Sequence, residues 1–168
     1  PLISFGKKAL EDCKNNVPSE AIEQVALAII ITAGLVSNFT VHENNPNPEE
    51  DYYYNSSLAH CVYYGASLFP QCERQHLHGE IVSFGVLCLL TYDGQFEERN
   101  RFFEFNHSIG LPCTLGEIAL TPDDVPAIAH KAASVVEWKY VPGNPTEDAF
   151  INAILATDKA GKEFLADK

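Results

Sequence analysis

From Leu2 to Leu165 the apolar residues of this chain recur three and four positions apart, and almost nowhere do they alternate with polar ones. Spacing of that kind lines one face of a helix and cannot line one face of a strand. An all-α fold follows. At 168 residues and 46% apolar content the chain is long and greasy enough to bury a core of one ordinary domain.

Helix punctuation divides the chain. Residues 2–15 form a short amphipathic helix, with Leu2, Phe5, Ala9, Leu10 and Cys13 on one stripe and Lys7, Lys8, Glu11 and Asp12 opposite. Residues 18–39 are apolar on nearly all sides, the pattern of a buried central helix ending near Ser37 and Asn38. The segment 42–51, HENNPNPEED, is a loop, since its prolines, asparagines and acids suit no core. A helix over 53–69 is stopped by Pro70, and PQCERQ makes a polar turn. A second buried helix runs over 78–90 and closes at Asp93-Gly94. An exposed amphipathic helix over 95–108 ends at Gly110 and Pro112. Thr121-Pro122-Asp123-Asp124 has the makings of a capping box and starts a helix that reaches about Ser134. Pro145-Thr146-Glu147-Asp148 opens a last helix over 149–165, bent near Gly161.

Charge narrows the partners. Eleven Lys and Arg against 23 Asp and Glu give −12, which repels nucleic-acid phosphates and anionic bilayers. No stretch reaches the ~20 apolar residues of a membrane span. The five cysteines (Cys13, Cys61, Cys72, Cys88 and Cys113) are odd in number, widely spaced and without a C-x-x-C pair; reduced thiols in a cytoplasm fit them best. The chain starts at Pro1 and contains no Met, and is read as a fragment.

An all-helical domain without a Gly-rich phosphate loop after a strand has no usual means of holding a dinucleotide. There is also no G-x-S-x-G elbow and no H-E-x-x-H. Histidine placement remains. His60 lies in an otherwise apolar helix and His78 heads the next, and an imidazole there must satisfy its nitrogens by hydrogen bonds or a metal. Taken singly, each reads as a hydrogen-bonded core histidine. Taken together, two consecutive antiparallel helices can bring them to one cation. His76 points away and is expected to be exposed, and His42, His107 and His130 read as surface residues. Glu80 caps the helix, while Gly79 and Gly85 permit close approach of backbone or ligand.

At these residues the sequence resembles the iron-containing alcohol dehydrogenase and glycerol dehydrogenase superfamily, in its glycerol-dehydrogenase-like branch. The carriers are Leu58-Ala59-His60 with Gly65, and His78-Gly79-Glu80 with Val82 and Phe84-Gly85. Ile31-Thr32-Ala33-Gly34-Leu35, Gly110-Leu111-Pro112 and Ala153-Ile154-Leu155-Ala156-Thr157-Asp158 follow the same pattern, so the resemblance covers the whole chain in order.

The resemblance implies a two-domain enzyme. Residues 1–168 would be the C-terminal helical metal-binding domain, a dehydroquinate-synthase-like helical bundle, lacking the N-terminal α/β domain that holds NAD(P) and the first helix of the helical domain. It implies Zn²⁺ or Fe²⁺ held by one Asp and two His, the histidines being His60 and His78 and the Asp lying upstream of this chain. Such a cation lowers the pKa of a substrate hydroxyl, and hydride passes to NAD(P). It further implies a small alcohol or polyol substrate and a homo-oligomer. Tyr64 stands where the iron-using branch commonly has another His, which favours zinc or a relaxed choice of metal.

Two other readings are open. A dehydroquinate-synthase-like sugar-phosphate cyclase would need basic residues near the metal, and 55–68 has none. A non-catalytic helical binding module would use His60 and His78 only for packing. On the first reading the chain alone should be inactive, hold metal weakly, and self-associate through the apolar faces of 26–35 and 81–90.

Overall fold

A computed structural model describes residues 1–35, 57–141 and 143–168, with only the backbone of Tyr140. The chain divides into two compact units, Pro1–Asn55 and Ser56–Lys168. Every regular element among the described residues is helical, as the spacing predicts.

In the first unit α1 (Leu2–Lys14) packs against α2 (Glu20–Leu27), with Ala9 and Ala21 buried. Asn16 takes a positive φ of 54° in the turn between them. Ser19 caps α2, its hydroxyl accepting the Ile22 N–H at 3.3 Å. Lys8 hydrogen-bonds the buried carboxylate of Asp12. Beyond α2 the chain widens into π-helical turns, Ala28–Ala33. Here the structure corrects the sequence reading: instead of a buried central helix, Leu27, Ile29, Ile30, Ile31 and Leu35 are exposed, Ile30 by 70%. The loop 42–51, the helix end near Ser37 and residues 53–56 of the next expected helix lie outside the described residues.

The second unit holds six α-helices among the described residues: α3 (Leu58–Ala66), α4 (Pro70–Gln75), α5 (His78–Tyr92), α6 (Phe96–Ile109), α7 (Val125–Ala133) and α8 (Glu147–Ala166). Helix α5 is central and packs against α3, α6 and α8, while α7 bridges α3 and α8. Phe84, Leu58, Phe103, Ile128, Phe150 and Ile154, from five different helices, meet in one core. Each such side chain contributes about 1.5–3 kcal/mol on burial. The apolar face expected to be open at 81–90 is therefore closed within this unit.

The expected stops and starts hold. Gly94 and Gly110 sit at positive φ, 71° and 78°, just past α5 and α6. The Thr121 hydroxyl donates to Asp124 Oδ2 at 2.7 Å, and the Thr121 N–H donates to the same oxygen at 2.8 Å. Thr146 Oγ1 accepts the Ala149 N–H at 3.2 Å. One reading changes. PQCERQ is a short helix rather than a turn, Pro70 occupying the first turn where no N–H is needed and Cys72 fully buried. Helix α8 runs through Gly161, where a Cβ would lie 2.1 Å from the Cys113 carbonyl. Nearby the buried Asp158 accepts the Leu115 N–H at 2.9 Å and a bond from Lys162 Nζ at 2.6 Å.

Candidate metal centre

Helix α3 starts at Ser57, whose carbonyl accepts the His60 and Cys61 N–H groups. Leu58, Cys61, Val62 and Ala66 turn into the core. His60, Tyr63 and Tyr64, three and four positions apart, fall on the half-buried side. Helix α5 begins at His78, and Glu80 caps it as expected, Oε2 accepting the Leu77 N–H at 3.0 Å.

Glycines set how closely these helices approach. A Cβ on Gly85 would lie 2.2 Å from the Ala59 carbonyl, and one on Gly65 would lie 2.5 Å from Ile128. The backbones of α3 and α5 therefore touch at Ala59, beside His60. His78 is seven residues from Gly85, two helical turns away on the same face. The helices run in opposite directions, with Ala59 beside Gly85 and Tyr63 beside His78.

The two histidines meet. Their ring centres are 5.3 Å apart and tilted by 44°. Tyr63 stands edge-on to His78 at 4.3 Å, and Tyr64 is 6.5 Å from His60. Burial pushes the His60 imidazole below its ordinary range; the neighbouring His78 adds to this and Glu137 opposes it. A histidine kept neutral retains a nitrogen lone pair, the form a cation needs. Two imidazoles on tetrahedral positions of one cation, each nitrogen about 2.1 Å from it, have ring centres about 5 Å apart. The observed pair fits that spacing. Among the described residues no group of three or more His, Cys, Asp or Glu side chains converges.

The other histidines stand apart from this pair. His107 and His130 are exposed, His130 lying 3.4 Å from Glu147. His76 corrects the expectation of exposure: it is half-buried, with Nδ1 3.3 Å from Glu80 Oε2. His42 lies outside the described residues. Gly85 serves helix packing, whereas Gly79 has open space around it. Sequence reasoning missed Tyr63, although its three-residue offset from His60 was a usable signal. It also missed Glu137, which comes from the 3₁₀ segment Val136–Tyr140 packed on α3 and bore no local mark.

No protein-family profile matches the chain. A glycerol dehydrogenase of Escherichia coli O6:H1 is 28% identical over 172 residues, spanning 99% of this chain and 42% of that protein. One from Pseudomonas putida is 34% identical over 116 residues, 65% of this chain and 31% of that protein. The crystal structure of a probable glycerol dehydrogenase from Sinorhizobium meliloti superposes with a TM-score of 0.80 at 24% identity, over 96% of this chain and 43% of that one. The fold thus matches an all-helical portion of that structure. The chain is similar to the C-terminal helical domain of the glycerol dehydrogenase and iron-containing alcohol dehydrogenase superfamily, as the motifs around His60 and His78 imply. It spans about two fifths of the length of the curated relatives that match it end to end.

Proposed function

We propose that this chain is the metal-holding half of an oxidoreductase that transfers hydride between a small alcohol or polyol, glycerol-like in size, and NAD(P). His60 and His78 are two of the ligands of one divalent cation, Zn²⁺ before Fe²⁺. The observation that carries this reading is the pair of rings from successive helices with centres 5.3 Å apart. The relatives' names support the alcohol class.

When bound, such a cation supplies Lewis acidity at an alcohol oxygen. The chain's own residues do the rest of the work on this side. His60 offers a neutral nitrogen because burial disfavours its charged form. The close contact at Ala59 and Gly85 fixes the depth at which His78 faces it. Tyr64 lies beside the His60 ring and Tyr63 beside the His78 ring, the aromatic side of the pair. No residue of this chain is assigned to NAD(P), since no Gly-rich phosphate loop occurs in it. A cytoplasmic location and assembly into homo-oligomers belong to the same proposal.

The test uses the complete protein that contains this sequence. Glycerol-dependent reduction of NAD⁺ or NADP⁺ is expected. His60→Ala and His78→Ala should each lower bound metal and activity together by at least about a hundredfold. A protein that holds stoichiometric metal through both substitutions, or that oxidises no alcohol across a broad panel while metal-loaded, defeats the proposal.

A further inference from the structure

We propose that Tyr63 is the positioning residue for His78: its ring, edge-on to the imidazole at 4.3 Å and 72°, holds that imidazole turned towards His60. The inference rests on the metal reading above for its purpose, but not for its geometry.

His78 needs such a support. It is the first residue of α5 and is exposed, and among the described residues no hydrogen bond reaches its ring nitrogens. Among the described residues its ring contacts are those with Tyr63 and His60. Metal-ligating histidines are ordinarily oriented by a partner on the second nitrogen; here an aromatic edge takes that task. Tyr63 is suited to it because it is half-buried against the core. It projects from α3, whose Leu58, Cys61, Val62 and Ala66 are anchored in the core, and its own ring packs against that core. A second edge contact, to Tyr64 at 5.6 Å and 62°, braces it from the side. The quadrupole of one ring favours the edge of another over a face-to-face sandwich, so the 72° angle is the preferred arrangement and resists rotation of either partner.

The phenol oxygen plays no part in this argument, and that separates two substitutions. Tyr63→Phe keeps the ring and should behave as the native chain. Tyr63→Leu keeps apolar bulk without a ring edge, and should release His78. The measurements, made on the complete protein that contains this sequence, are proton–proton NOEs between the rings of residues 60, 63 and 78, and a titration with Zn²⁺ alone followed by the His60 and His78 ring shifts.

The native chain and Tyr63→Phe should both show NOEs from the aromatic ring at position 63 to His78 and from His78 to His60. In Tyr63→Leu, with helicity by circular dichroism unchanged, the His78–His60 NOE should vanish and Zn²⁺ affinity should fall by about tenfold. Persistence of that NOE in Tyr63→Leu overturns the inference, as does loss of it in Tyr63→Phe. If Tyr63→Leu fails to fold, the native chain still decides: a His78 ring without an NOE to Tyr63 overturns it. NOEs that follow the expected pattern while Zn²⁺ moves neither ring leave Tyr63's role standing and defeat the metal reading instead.

Discussion

Residues 26–35 and 81–90 are equally apolar in sequence, yet they end in opposite surroundings. In 81–90, Ile81, Phe84, Leu87 and Cys88 are completely buried, with α3, α6 and α8 packed round them. In 26–35, Leu27, Ile29, Ile30, Ile31 and Leu35 stand exposed on π-helical turns and their flanks. Hydropathy alone does not separate them. The difference lies in what permits contact: Gly85 lets a neighbouring backbone come within the space of a side chain, whereas among the described residues a Cβ on Gly34 would come no nearer than 3.9 Å to the Ile29 carbonyl.

The sharpest way to break that comparison is to add the missing methyl at both places. Gly85→Ala drives a Cβ into the Ala59 carbonyl and should lose about 3 kcal/mol or more, while Gly34→Ala should gain about 0.5–1 kcal/mol from helix propensity alone. Urea unfolding of the two variants reads the difference; a tolerated Gly85→Ala would mean the helices are not in contact there. Of similar size, Phe84→Ala should cost about 3–5 kcal/mol through cavity formation, and Ile30→Ala within about 0.5 kcal/mol, by the same measurement. Equal losses would show that the 26–35 stretch is covered after all.

A smaller effect comes from pH. His60 has a folded pKa below its unfolded value of about 6.5. As the pH falls below that value the unfolded chain takes up the proton first. Stability is therefore full above about pH 6.5 and declines as the pH drops towards the depressed folded value. Unfolding free energies at pH 7.5 and 5.5 should differ less in His60→Gln than in the native chain; an unchanged slope would assign the decline elsewhere. Thiol labelling gives the finest map. Burial pushes the Cys61 and Cys113 thiols up to about 12 and that of Cys72 to about 11, and raises Cys88 also. At pH 8 the folded chain should label only at the exposed Cys13, and all five should label in urea. Labelling of Cys88 in the folded state would place an opening in the very stretch that is otherwise closed.

Much of the helical order was legible because its ends carry local chemistry. Gly110 takes the left-handed φ that its place after α6 demands, Thr121 and Asp124 close a capping box, and Thr146 caps α8. Those signals act within four residues and need no knowledge of the fold. What the sequence hid depends on distant neighbours. The exposure of 26–35 follows from which partners surround it, and the helical character of PQCERQ from burial of Cys72. For the candidate centre, the helix order and the His60/His78 pairing were readable from two adjacent helical patterns. Tyr63 against His78 depends on the angle between those helices, and Glu137 reaches the neighbourhood of His60 from a segment 77 positions away, counted as 137 minus 60.

The bond from Leu115 to Asp158 bears on how this polypeptide is made. It joins groups 43 residues apart, and Phe150 and Ile154 of the same helix complete the core. A ribosome synthesising the chain therefore exposes α3 to α7 while their shared interior is still open on one side. Of these helices α8 leaves the exit tunnel last, and only its arrival closes the assembly. Until then the apolar side chains that α8 covers stay open to water.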